Sequence, residues 1–134
     1  MKIVNLTPHP VIIVRDDPEG ANTGFVGVGP ATKEIKYSVV ETIAPAGPVA
    51  RARQTDENVG EVKVNGHAVP LVTSKYGDPT DLPAPEEGTY YVVSILTAQA
   101  AKAVGRSTSD LLVTSDPVRD ATGKIVGCRK FAIV

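Results

Sequence analysis

Short runs of β-branched and aromatic residues, separated by Gly, Pro and polar segments, follow one another along most of the chain and predict strands. They lie at residues 2–6, 11–15, 34–43, 49–53, 61–64, 67–73, 89–93, 111–113, 117–119 and 124–134. Asn65-Gly66 is typical of a two-residue hairpin turn, because both positions tolerate positive φ. Residues 16–30 are rich in Gly and Pro and are expected to form a long loop. The segments at 54–58 and 75–81 are expected to be turns.

One helix is predicted, at residues 94–104. Ser94 is a suitable N-cap, and Gly105 favours the left-handed conformation that ends helices. Gln99 lies at the border of the apolar stripe, where it either ties down a neighbouring loop or points into a ligand cavity. The stripe expected to face the sheet consists of Leu96, Ala100, Ala103 and Val104, flanked by Ile95.

Together these elements predict an α+β fold in one domain, residues 1–134. The sheet is expected to be mostly antiparallel and curved or barrel-like, with the helix packed on it. A length of 134 residues fits one domain, and 12 Gly and 11 Pro favour short strands joined by turns over a helical protein.

Charge and composition exclude several classes of partner. A net charge of −1 and a pI near 6.1 give no field that attracts nucleic acid or an anionic membrane. Aromatic residues make up 4% and Trp is absent, which disfavours a base-stacking surface. A single Cys forms no internal disulfide and suits a reducing compartment. The apolar N-terminus is interrupted by Asn5 and prolines, and no apolar run approaches the roughly 20 residues that span a bilayer, so a cytoplasmic protein is expected.

Candidates for catalysis are few. His9, between two prolines, has only His67 as a second histidine, and no ligand spacing indicates a metal or a cofactor; fixing the bend through a backbone carbonyl is the favoured interpretation. Cys128 as a nucleophile would need a base such as His9 and an adjacent cation such as Arg129, but a buried core position is favoured.

Two other motifs are weak. Ser94 lacks the glycine-flanked elbow of a nucleophilic serine. A glycine series that resembles a phosphate loop is followed by neither Lys-Ser/Thr nor a helix, so a plain loop is favoured. The series is Gly24, Gly27 and Gly29.

The arginines give the most specific hypothesis. Four of them lie in predicted strands, where alternation can bring their side chains to one face beside tyrosines, as a phosphate-bearing or carboxylate ligand requires. The alternative is that they pair with Asp and Glu on solvated strand faces. The ligand-binding candidates are Arg51, Arg53, Tyr76, Tyr90, Gln99, Arg119, Arg129 and His9.

Several motifs resemble a group of small proteins from bacteriophages and from bacterial genomes that carry phage-like genes. They are NLTPHPV at 5–11, VAR at 49–51, GTYYVVS at 88–94, AQA at 98–100, DPVRD at 116–120 and GCR at 127–129. The similarity covers most of the chain except about residues 16–40. It implies an accessory protein that acts inside a bacterial cell, and it carries over no functional residue.

Three functions follow as hypotheses. The first is a noncatalytic binding protein that sequesters an anionic, nucleotide-derived immune signal. The second is a structural or interaction protein, either a minor virion component or an inhibitor of a host protein, with exposed strand edges that pair with a partner. The third is a small hydrolase using Asp116, His9 or Cys128. Exposed edges also make a homo-oligomer plausible.

Overall fold

The computed structural model describes all 134 residues and contains nine β-strands and one α-helix. In chain order they are β1 Lys2–Asn5, β2 Val11–Asp16, β3 Asn22–Val26, β4 Lys33–Ile43, β5 Arg51–Val64, β6 His67–Thr80, β7 Thr89–Val92, α1 Ile95–Ala103, β8 Leu111–Arg119 and β9 Ile125–Ala132. A short 3₁₀ turn, Gly29–Ala31, precedes β4.

Seven of the strands form one sheet, in the order β1-β7-β8-β3-β4-β2-β9. Strand β9 also pairs with β8, so the hydrogen-bonded pairings run from β8 through β3, β4, β2 and β9 back to β8. The pairings β1–β7, β7–β8 and β2–β9 are parallel and the others antiparallel. A β-rich α+β fold with one helix and a curved sheet is thus confirmed.

The core has two parts. One lies between α1 and the strands beside it and consists of Leu6, Ala50, Tyr91, Val93, Ala98, Ala101 and Leu111. The other lies inside the circuit of five strands and consists of Val14, Val26, Ile35, Tyr37 and Val118. The residues that α1 contributes are small, so the helix backbone lies close to the sheet.

The helix is where the sequence predicted it, but a different face is buried. Its buried residues are Thr97, Ala98, Ala100 and Ala101. Leu96, expected in the buried stripe, is 40% exposed. The reason is that Thr97 donates a hydrogen bond from Oγ1 to the Ala50 carbonyl, 3.1 Å away, and this contact turns the small residues inward. The structure contains no helix with the length and apolar character needed to cross a membrane.

The long loop predicted at 16–30 is wrong, because β3 lies within it and pairs with β4 along its length. Gly24 is in this strand, and a Cβ there would overlap the side chain of Val118 and crowd the ring of Tyr37. Glycine is therefore needed here for close packing in the core, and its presence does not indicate a flexible loop.

Strands β5 and β6 form a separate two-stranded sheet, paired from Arg51–Thr80 to Val64–His67. The predicted Asn65-Gly66 turn is confirmed, with φ of 49° and 80°. The turns predicted at 54–58 and 75–81 are wrong, because the two strands run through both segments. These segments are polar because nearly every residue of the hairpin is exposed, so neither face requires an apolar pattern. We call this hairpin, residues 51–80, the arm.

Candidate functional site

A groove of about 660 Å³ lies where the arm leaves the rest of the chain, and we call it the root groove. This volume is within the range of small-molecule sites. The root groove is lined by Thr7, Pro8, Val49, Ala50, Arg51, Ala52, Arg53, Gln54, Tyr76, Thr80, Ser94 and Leu96. The first strand of the arm, the bend after β1 and the start of α1 therefore meet at one site.

Three of the predicted ligand-binding residues meet in the root groove: Arg51, Arg53 and Tyr76. Both arginines are exposed, and neither forms an ion pair within 4.0 Å. The nearest acidic side chain along this strand, Asp56, has other partners. These are Ser74, whose Oγ donates to Asp56 Oδ1 at 2.8 Å, and Gln54, whose Nε2 donates at 3.1 Å.

These two hydrogen bonds, from Ser74 first and Gln54 second, lower the pKa of the Asp56 carboxyl. The carboxylate is thus stabilised within the arm. The guanidinium groups of Arg51 and Arg53 stay without a carboxylate partner.

The bend on one side of the root groove is held by Asn5, a residue that is fully buried. Its Nδ2 donates to the carbonyls of His9 at 2.7 Å and Ile43 at 3.0 Å. Its Oδ1 accepts from the amide and the hydroxyl of Thr7, at 2.9 and 2.7 Å. The interpretation that the His9 side chain fixes the bend is therefore wrong: Asn5 does so, and His9 contributes its backbone carbonyl.

The other side of the root groove is the start of α1. Ser94 is its N-cap, as predicted: the Oγ accepts from the Thr97 amide at 3.2 Å and lies 2.9 Å from Thr97 Oγ1. Thr97 in turn bonds to Ala50, beside the first residue of the arm. The positive end of the helix dipole is thereby held at the root groove.

The remaining predicted arginines lie elsewhere. Arg129, on β9, donates through Nε to Asp116 Oδ2 at 2.9 Å and through Nη1 to Asp16 Oδ1 at 2.8 Å. The Asp16 bond, followed by the Asp116 bonds, raises the pKa of the Arg129 guanidinium. Because its donors are used to join β2, β8 and β9, its prediction as a ligand group is wrong. Arg119 donates to the Gly123 carbonyl at 2.9 Å and is exposed.

Two further candidates are outside the root groove. Gln99 is exposed on α1 and forms no side-chain hydrogen bond to a loop, so both interpretations of its role are wrong. Tyr90 is half-buried on β7.

A second groove, of about 580 Å³, adjoins the first, and Thr7 and Ser94 line both. We call it the apolar groove, because its lining contains no Lys, Arg, Asp or Glu. His9 and Cys128 both line it. Burial, as the main cause, raises the pKa of the Cys128 thiol, and His9 is not among the groups that act on that pKa. A nucleophilic thiol needs a lowered pKa, so this pair lacks the activation that catalysis requires.

No three His, Cys, Asp or Glu side chains lie together as metal ligands would. No family model, curated protein or solved structure matches the chain. The site is therefore interpreted from its geometry alone.

Asn5 and Gln54 are the residues of the site that the sequence did not single out. Asn5 had a detectable signal, since it is a polar residue in a predicted apolar strand and directly precedes a Thr-Pro bend. Gln54 had none, because it lay in a segment expected to be a turn.

Proposed function

We propose that this chain is a noncatalytic binding protein that holds an anionic small molecule in the root groove. The observation that supports this proposal is the pair of exposed guanidinium groups, Arg51 and Arg53, that lack carboxylate partners and line one groove with Tyr76. Guanidinium groups bind phosphate and carboxylate through paired hydrogen bonds, and the tyrosine ring offers a surface for a base or sugar.

The ligand class that fits this chemistry is a nucleotide or a compound derived from one. In the context that the phage-like motifs imply, the protein sequesters such a signal inside a bacterial cell and so weakens a defence response. The circuit of pairings that includes β8 and β9 gives a barrel-like, rigid support for the groove.

The test is titration calorimetry with a panel of linear and cyclic nucleotides against the wild type and three variants. Arg51→Ala and Arg53→Ala should each weaken binding by about tenfold or more, because a hydrogen bond to a charged group contributes roughly 1.5–3 kcal/mol. Arg119→Ala is the matched control: it removes an exposed arginine that also lacks a carboxylate partner and lies outside the groove. It should leave the affinity within twofold.

Equal affinities for all three variants would refute the root groove as the site. Absence of binding across the panel would refute the nucleotide class. Recovery of altered nucleotides after incubation would instead support the hydrolase.

A second candidate is an interaction protein, and the arm is the observation that favours it. Apolar side chains are exposed on the outer part of the arm, including Val62, Val69 and Leu71. A surface of this kind is typical of a protein contact.

A further inference from the structure

The outer part of the arm has one apolar and one mixed face. Cross-strand pairs alternate between the faces of a hairpin. One face carries the pairs Val64–His67, Val62–Val69 and Gly60–Leu71, and the other carries Lys63–Ala68 and Glu61–Pro70. The side chains of Val62, Val64, Val69 and Leu71, which we call the tip face, are 42–53% exposed. This alternation is typical of a sheet with one buried face.

Nothing in the chain covers the tip face. Only Ala52, Pro79 and Thr80, at the root, are half-buried, and every other residue of the arm is exposed. An isolated two-stranded hairpin is marginally stable in water, so an arm of this length needs a surface to pack on. With 14 residues in each strand, it extends about 46 Å at roughly 3.3 Å per residue. The rest of the chain, about 100 residues, is roughly 33 Å across by the usual size scaling.

We propose that the surface is a second copy of this chain, and that two copies exchange arms about a two-fold axis. The apolar groove is beside the root of the arm, since Thr7 and Ser94 line both grooves. Two arms that run antiparallel therefore bring each tip to the partner's root. There the tip face packs in the partner's apolar groove, on Ile95 and Ile125, which are 45% and 53% exposed.

The two surfaces match in polarity. The apolar groove has no charged lining residue, and the three pairs of the tip face have none. The whole arm carries four positive and four negative residues, so two arms do not repel each other. These residues are Arg51, Arg53, Lys63 and Lys75, and Asp56, Glu57, Glu61 and Asp78.

The area is sufficient only if the exchange is reciprocal. One arm face is about 46 Å long and roughly 10 Å wide, or about 460 Å². In a reciprocal exchange each copy buries its own arm face and the surface under its partner's arm. That amounts to roughly 900 Å² per copy, close to the roughly 800 Å² of a standard stable interface. A single arm contact would give half of this, which favours the two-fold arrangement.

The test is native mass spectrometry without added ligand, so that it does not depend on the root groove. The wild type should appear at twice the subunit mass of 14.0 kDa. Val69→Asp, on the tip face, should appear at the subunit mass, because it places a charge in the apolar contact. Val72→Asp is the matched control: Val72 is on the opposite face and is 48% exposed, against 42% for Val69. It should remain a dimer.

Ile125→Asp changes the opposite side of the same contact and should also give the subunit mass, whereas Arg51→Ala should remain a dimer. A second measurement excludes loss of folding as the cause. Under oxidation, a mixture of Val64→Cys and Ile95→Cys copies should form a disulfide-linked heterodimer, which wild-type chains with buried Cys128 should not form.

Three results would overturn the proposal. They are a wild type at the subunit mass at every concentration, equal behaviour of the Val69 and Val72 variants, and assemblies larger than two, which would indicate a head-to-tail contact.

Discussion

Asn5→Ala should strongly destabilise the protein. The side chain is fully buried and forms four hydrogen bonds, to two carbonyls and to the amide and hydroxyl of Thr7. Alanine removes all four, and since each contributes about 1 kcal/mol net, we expect a loss of about 3–4 kcal/mol in the free energy of unfolding. This is a large part of the roughly 5–15 kcal/mol that stabilises a typical domain.

Urea unfolding followed by far-ultraviolet circular dichroism measures this loss directly. Thr7→Val is the matched control, because it keeps the branched shape and the amide but removes the hydroxyl that bonds to Asn5 and to the His9 carbonyl. It should cost about 1 kcal/mol. A loss below 1 kcal/mol for Asn5→Ala, or one no larger than that of Thr7→Val, would show that the bend does not depend on Asn5.

Two further predictions concern single positions. Gly24→Ala should cost about 1–3 kcal/mol in thermal unfolding, because its new methyl group overlaps the buried side chain of Val118; an unchanged midpoint would contradict the close approach. At Asp120, the hydrogen bond from Thr122, as the main cause, lowers the pKa of the carboxyl below 3.8. Its contribution to stability is therefore present above that value and lost as the pH falls through the lowered pKa, so Asp120→Asn should reduce the loss of stability with acid below about pH 4.

Local signals in the sequence gave the positions of most elements. Asn65-Gly66 defined a turn because positive φ at two successive residues restricts the residue types, and Ser94 defined the start of the helix because a free amide needs an acceptor. Both features depend on a few adjacent residues. The sequence also singled out Arg51, Arg53 and Tyr76, although it did not separate them from Arg119 and Arg129.

What the sequence did not reveal depends on contacts between distant residues. Arg129 and Asp16 are 113 positions apart, and the bond between them decides that this arginine is structural. The buried face of α1 depends on Thr97 reaching Ala50, 47 positions away. The arm was misread for a different reason: its strands cross polar segments that resemble turns, and a hairpin exposed on both faces lacks the apolar alternation by which strands are recognised.

The two proposals place the ligand and the partner subunit in adjacent grooves. Thr7 and Ser94 line both, so an exchanged tip in the apolar groove lies beside a ligand in the root groove. If both bind, each changes the affinity for the other by the same factor, because coupling between two sites is reciprocal. The variants still separate the two functions. Arg51→Ala removes a cation from the root groove and leaves the tip face intact, whereas Val69→Asp has the opposite effect. A protein that dimerises without binding nucleotides would therefore be an interaction module, and a monomer that binds them would be a simple sequestering protein.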